Sequence, residues 1–88
     1  MRESTICKHH RGGGGSPFAR ILGAEIRRRR LEQGLSQEHL GDPLSRSFVS
    51  LVEHGRLTPS LPSLRIIAAT LGTSAAGILA SVEAQLED

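Results

Sequence analysis

The sequence predicts an all-α fold, with five short helices packed into one compact domain behind a disordered N-terminal tail. Three observations carry this. Apolar residues recur at three- and four-residue spacing in successive stretches, with no two-residue alternation anywhere. Ser, Gly and Pro punctuate those stretches where helices begin and end. Aromatic residues are 2% of the chain, two Phe with no Trp or Tyr, which disfavours a β-sandwich. At 88 residues the chain has material for a single small domain.

Residues 1–16 read MRESTICKHHRGGGGS, a polar stretch ending in a flexible-coil composition, and are expected to be a disordered tail or linker. From Pro17 to Gly34 the first helical pattern sets Leu22 and Ile26 on one face, with Phe18 one turn earlier. Gly34 stops it, and Arg27 to Arg30 lie toward its C-terminal half, where cations suit the helix dipole. Ser36 caps a second helix running through Gln37, Glu38, His39 and Leu40. Gly41, Asp42 and Pro43 end it after about two turns, because proline cannot sit inside a helix. Ser45 caps a third helix, Arg46 to Glu53, with Phe48, Val49 and Val52 as its core stripe. Gly55 closes it. Ser60 caps a fourth helix with Pro62 in its first turn. Leu61, Leu64, Ile67, Ala68 and Leu71 form its apolar face, and Gly72 ends it. Thr73 or Ser74 caps a fifth helix, Ala75 to about Glu87, whose stripe is Ile78, Leu79, Val82 and Leu86. The expected domain spans 17–80, with 81–88 an extension of the last helix.

The formal net charge of +2 hides a division. Residues 20–72 hold eight Arg against five carboxylates, whereas 73–88 hold only Glu83, Glu87 and Asp88. Ten of the eleven basic residues are Arg, whose guanidinium fork matches phosphate oxygens and guanine edges bidentately. A basic body of this kind suits an anionic partner.

Several classes are excluded. One Cys gives no intramolecular disulfide framework. No run approaches the roughly 18 apolar residues of a membrane span, and no secretory signal follows the start, so a cytoplasmic location and no membrane partner are expected. Cys7, His9 and His10 lack a second ligand pair at zinc-like spacing, so no metal is expected. No nucleophile-base order, paired carboxylates, phosphate loop or dinucleotide fingerprint occurs. The core is too small for a pocket of ordinary ligand volume. The reading is no enzyme, no cofactor and no small-molecule ligand.

The stretches LGAEIRRRRLEQGLSQEHL (22–40), SRSFVSLVEHGRLTPSLPSL (45–64) and IIAATLGTSAAGIL (66–79), taken in order, resemble the XRE/Cro-type, lambda-repressor-like helix-turn-helix regulators. The resemblance implies a lambda-repressor-like fold and sequence-specific double-stranded DNA binding, with helix 45–53 as the recognition helix in the major groove. Gln37 would then hold the DNA backbone, at a helix start whose N–H groups attract phosphate; the alternative is a plain cap with a solvent-facing amide. Arg46 would pair with guanine, and Ser45, Ser47 and Ser50 would reach base edges or phosphates; the alternative is a solvated capping face. Arg56 would touch the backbone beside the groove. Arg30 and Glu53 match a pair that bridges the first helix to the recognition helix. Arg27, Arg28 and Arg29 form a charge run, whose plain alternative is a solvated helix face with no partner; Arg29, at a position often apolar in the family, is expected to snorkel along the core edge.

Two departures from the family pattern stand out. The span from Leu40 to Ser45 is about two residues short of the usual helix-turn-helix spacing. Leu51 occupies an outward position usually given to a polar reader, where it could touch a thymine methyl or a protein. Ile78, Val82 and Leu86 recur along the fifth helix. One turn of that stripe suffices to close the core, so the other two are expected to be exposed and to form a homodimer contact; the alternative is a longer core cap. The overall reading is a dimeric transcriptional regulator. The alternative is a protein-interaction module, antitoxin-like or a regulatory subunit, on the same fold.

Overall fold

The computed structural model describes residues 16–40 and 43–87. The expectations for the tail before Ser16, including Cys7, His9 and His10, and for Gly41 and Asp42, lie outside the described residues. The chain forms α1 (Pro17–Glu32), α2 (Gln37–Leu40), α3 (Arg46–Glu53), α4 (Leu61–Thr70) and α5 (Ala75–Glu87), with no strand among the described residues. The all-α, five-helix expectation holds.

The helix starts share one device. The Ser45 hydroxyl accepts from the Phe48 N–H at 3.0 Å, Ser60 from Ser63 at 3.2 Å, and Ser74 from Gly77 at 3.0 Å. Each satisfies a donor the helix leaves over. Ser16, grouped with the tail in the sequence reading, belongs to the fold instead: it caps α1 by accepting from the Ala19 N–H at 3.0 Å. Ser36 does the same for α2, accepting from the His39 N–H at 3.1 Å, but that helix is four residues, shorter than the two turns expected.

The core draws on every helix. Leu22 and Ile26 of α1, Leu40 of α2, Val49 and Val52 of α3, Leu64 and Ile67 of α4, and Ile78 and Val82 of α5 are all buried. α1 packs on both α5 and α3, α2 packs on α3 and α4, and α4 packs on α5. Two expectations are corrected here. Leu61 was placed on the apolar face of α4, yet it is 59% exposed, whereas Leu64 on the same helix is buried. Ile78 and Val82 were expected to include a free turn of stripe, yet both are 0% exposed, because α5 lies along α1 and turns them inward. Of the three residues assigned to a dimer contact, only Leu86 keeps an exposed side chain, at 38%.

Two glycines decide where the end of α3 sits. A Cβ on Gly23 would collide with the Val52 carbonyl oxygen and lie 2.8 Å from that of Glu53, so α1 passes over the end of α3 with no room for a methyl group. Gly55 has φ +74, a left-handed conformation that costs glycine little. Its N–H bonds the Val52 carbonyl at 3.0 Å and the Arg56 N–H bonds the Leu51 carbonyl at 2.9 Å, a paired C-terminal cap. That cap turns the chain back against the Arg20 backbone of α1.

Candidate nucleic-acid interface

α3 divides cleanly by side. Val49, Val52 and Glu53 face inward, whereas Arg46, Ser47, Leu51 and His54 are exposed and Ser50 is half-buried. This follows from the 3.6-residue repeat, which puts 47, 50, 51 and 54 on one side of an eight-residue helix. Leu51 is 43% exposed in the middle of that row, an apolar group among hydroxyls. Ser45 commits its oxygen to the cap and keeps its hydroxyl hydrogen. Among the described residues no hydrogen bond within the fold engages the Ser47 hydroxyl.

The angle of this face is held by a buried polar chain. Arg30 of α1 donates from Nε and Nη2 to the two oxygens of Glu53, at 2.7 and 2.9 Å. Its Nη1 donates to the Leu35 carbonyl at 2.9 Å. Gln37 of α2 donates from Nε2 to Glu53 Oε1 at 3.0 Å. Both charged residues are buried, and the hydrogen bonds to Glu53 raise the Arg30 pKa further despite burial. One carboxylate at the end of α3 thus ties together all three helices around the turn. Gln37, expected to serve a phosphate, spends one amide N–H here and retains the other.

Within the run Arg27 to Arg29, Arg27 stays exposed, whereas Arg28 and Arg29 find carboxylate partners and Arg29 is half-buried. Glu25, buried in α1, accepts from Arg28 Nη2 and Arg29 Nε, each at 2.6 Å, and Arg28 also donates to Glu32 at 2.7 Å. Arg29, half-buried, reaches across to the Ser81 hydroxyl of α5 at 3.1 Å, and Gln85 of α5 donates to Glu25 at 3.3 Å. Burial pushes the Glu25 carboxyl up, but hydrogen bonds and charge from Arg29 and Arg28 outweigh it and hold the group below its ordinary range. Glu25 was missed in the sequence although its spacing was readable: it shares the inward face with Leu22 and Ile26, and Arg28 and Arg29 follow at i+3 and i+4.

With Arg28, Arg29 and Arg30 neutralised inside the fold, the exposed cations without an ion-pair partner among the described residues are Arg27, Arg46, Arg56 and Arg65. Arg46 and Arg56 flank the outer face of α3, one at its start and one just beyond its end. Among the described residues there is no group of three metal-ligating side chains, and no single helix is long and apolar enough to cross a membrane. A groove of about 500 Å³, open to solvent, lies between α4 and α5 and is lined by Leu61, Arg65, Ala69, Ala75, Ala76 and Leu79. A pocket of ordinary ligand volume was not expected from so small a core; this groove lies on the outer surface of α4 and α5.

A family model described as a helix-turn-helix domain matches residues 21–79. Among solved structures, the chain is similar to the clp gene regulator ClgR from Corynebacterium glutamicum, with 26% identity over 80% of this chain and 77% of that one, at a TM-score of 0.73. It is also similar to a hypothetical transcription factor, NHTF, from Neisseria, with 32% identity over 74% of this chain and 79% of that one, at a TM-score of 0.65. A restriction-modification controller protein shares the fold at a TM-score of 0.71, with 24% identity over 82% and 96% of the two chains. A search of curated proteins finds no match.

Proposed function

The chain belongs to the helix-turn-helix domain family, and from that premise we propose that it is a sequence-specific double-stranded-DNA-binding transcriptional regulator that lays α3 in the major groove. The observation that carries this reading is the distribution of unpaired charge. Three arginines of the run are neutralised internally, while Arg46 and Arg56, at the two ends of the outer face of α3, have no ion-pair partner among the described residues. Arg46 opens the helix and reads guanine. Ser45, Ser47 and Ser50 serve base edges or phosphates, Leu51 touches a thymine methyl, and Arg56 and the second amide N–H of Gln37 hold the backbone. Residues 17–80 form the reading unit, acting where duplex DNA is found in the cytoplasm. ClgR, named as a gene regulator, supports the general class.

The protein acts as a homodimer, because two copies read two half-sites about one helical turn apart. The contact runs along the outer side of α4 and α5, not through Ile78 and Val82. Leu61, Arg65 and Leu79 line the open groove there, and Leu86 is exposed on the same last helix. Glu83 lies one turn beyond Leu79, and neither Glu83 nor Arg65 has an ion-pair partner among the described residues. In a two-fold arrangement each meets its opposite on the other copy.

Titration against mixed duplex DNA at several salt concentrations tests the reading. Log affinity should fall with log salt by roughly 0.9 per phosphate contacted. Flat, undetectable binding at low salt removes the DNA function and leaves the exposed Leu51 face to a protein partner.

A further inference from the structure

The outer row of α3 does not end at Leu51. His54, immediately after the last helical residue, continues the line of Ser47, Ser50 and Leu51 by one turn and is exposed. Its Nδ1 lies 2.8 Å from the Ser50 carbonyl oxygen. A carbonyl oxygen can only accept, so Nδ1 carries a hydrogen whatever the charge of the ring. Nε2 is therefore the nitrogen left to meet a partner: a bare lone pair in the neutral ring, an N–H donor in the charged one.

The surroundings fix what a charged ring would seek. No carboxylate among the described residues pairs with His54. The adjacent Glu53 is turned inward to Arg30 and to Gln37 of α2. From α1, the charged residue packed against this turn is Arg20, whose Cα and Cγ face Gly55, and in the following turn the charged residue is Arg56. The ring is thus exposed at one end of the proposed reading face, two residues before Arg56, and an anion seated there would stabilise a positive charge on it.

Resting on the duplex-binding reading above, we propose that His54 is a proton-dependent DNA contact, its charged ring donating from Nε2 to a phosphate oxygen of the duplex backbone. The neutral ring offers a lone pair in the same place and loses the contact. By linkage, binding then takes up a proton and protonation strengthens binding by the same factor. Arg46 reads at one end of α3, while Arg56 and His54 clamp the backbone at the other, one permanently and one according to pH.

The test measures duplex binding by fluorescence anisotropy between pH 5.5 and 8 at fixed ionic strength, for the wild type, His54→Gln and His54→Lys. The wild type should bind roughly tenfold more tightly at the acid end, the scale of one charge-assisted hydrogen bond. Its log-log salt slope should steepen there by about 0.9, one more phosphate. His54→Gln should stay at the weak level throughout, and His54→Lys at the tight level. Equal pH responses in wild type and His54→Gln overturn the proposal, since His39 and the other histidines would then carry the effect. Binding by the wild type that ignores pH overturns it too, with the duplex reading intact. Absence of binding at every pH and low salt overturns both.

Discussion

Glu53 joins α1, α2 and α3 through one carboxylate. It is buried at the end of α3, takes two hydrogen bonds from Arg30, and takes a third from Gln37. Removing one partner of such a pair leaves the other charge buried and unmatched. Glu53→Ala should therefore lower stability by about 3 kcal/mol or more, read by urea denaturation. Replacing both, as Arg30→Met with Glu53→Leu, should lose much less, because no charge is stranded. A single variant no worse than the double would show that the pair is not held as described. On the outer face the roles divide differently. Arg46→Ala should relax base preference by about 1–3 kcal/mol at one position, whereas Arg56→Ala should weaken all duplexes alike. Identical behaviour of the two in a selection from random duplexes would undo that division.

α1 holds the domain from both sides. On one side Gly23 lets it close over α3; Gly23→Ala forces a methyl group against two carbonyl oxygens and should cost about 1–3 kcal/mol in thermal or chemical denaturation. On the other side Glu25, Arg29, Ser81 and Gln85 add a polar seam to the apolar contact with α5. The Glu25 carboxyl is held below its ordinary range, which is about pH 4.3 for a free glutamate. Such a group binds its proton less readily folded than unfolded. Its contribution is fully present above about pH 5 and is lost as pH falls through the lower folded value. Glu25→Gln should lose that contribution already at pH 7, and its stability should then fall less steeply below about pH 4 than that of the wild type. Parallel acid limbs for the two proteins would contradict this.

For the molecule as a whole the proposed homodimer places the test at the outer surface of α4 and α5, since in that reading one helix covers one half-site. Arg65→Glu or Glu83→Arg alone should reduce the dimer mass in sedimentation, and the double exchange Arg65→Glu with Glu83→Arg should restore it. Restoration failing while both single variants dissociate would move the contact elsewhere. Val82→Glu cannot serve this purpose. It puts a charge where the side chain is 0% exposed, so it should unfold the chain and not merely separate two copies.

The sequence by itself determined the helices. Serine caps, glycine stops and apolar spacing are local features, and local hydrogen bonds answer them, so the starts of α3, α4 and α5 and the core pairs Leu22 with Ile26 and Val49 with Val52 were legible in advance. The matching of residue types to a known helix-turn-helix pattern also marked Arg30 and Glu53, which lie 23 positions apart. What it could not determine is which side of each helix meets which neighbour. Leu61, Ile78 and Val82 all sit on apolar stripes, yet the first is 59% exposed, while α5 lies along α1 and leaves the other two 0% exposed. The four arginines look alike in a run, yet the packing of α1 on α3 and α5 brings Arg30 to Glu53 and Arg29 to Ser81. Burial and charge pairing depend on contacts between distant segments, and only the tertiary structure chooses among those.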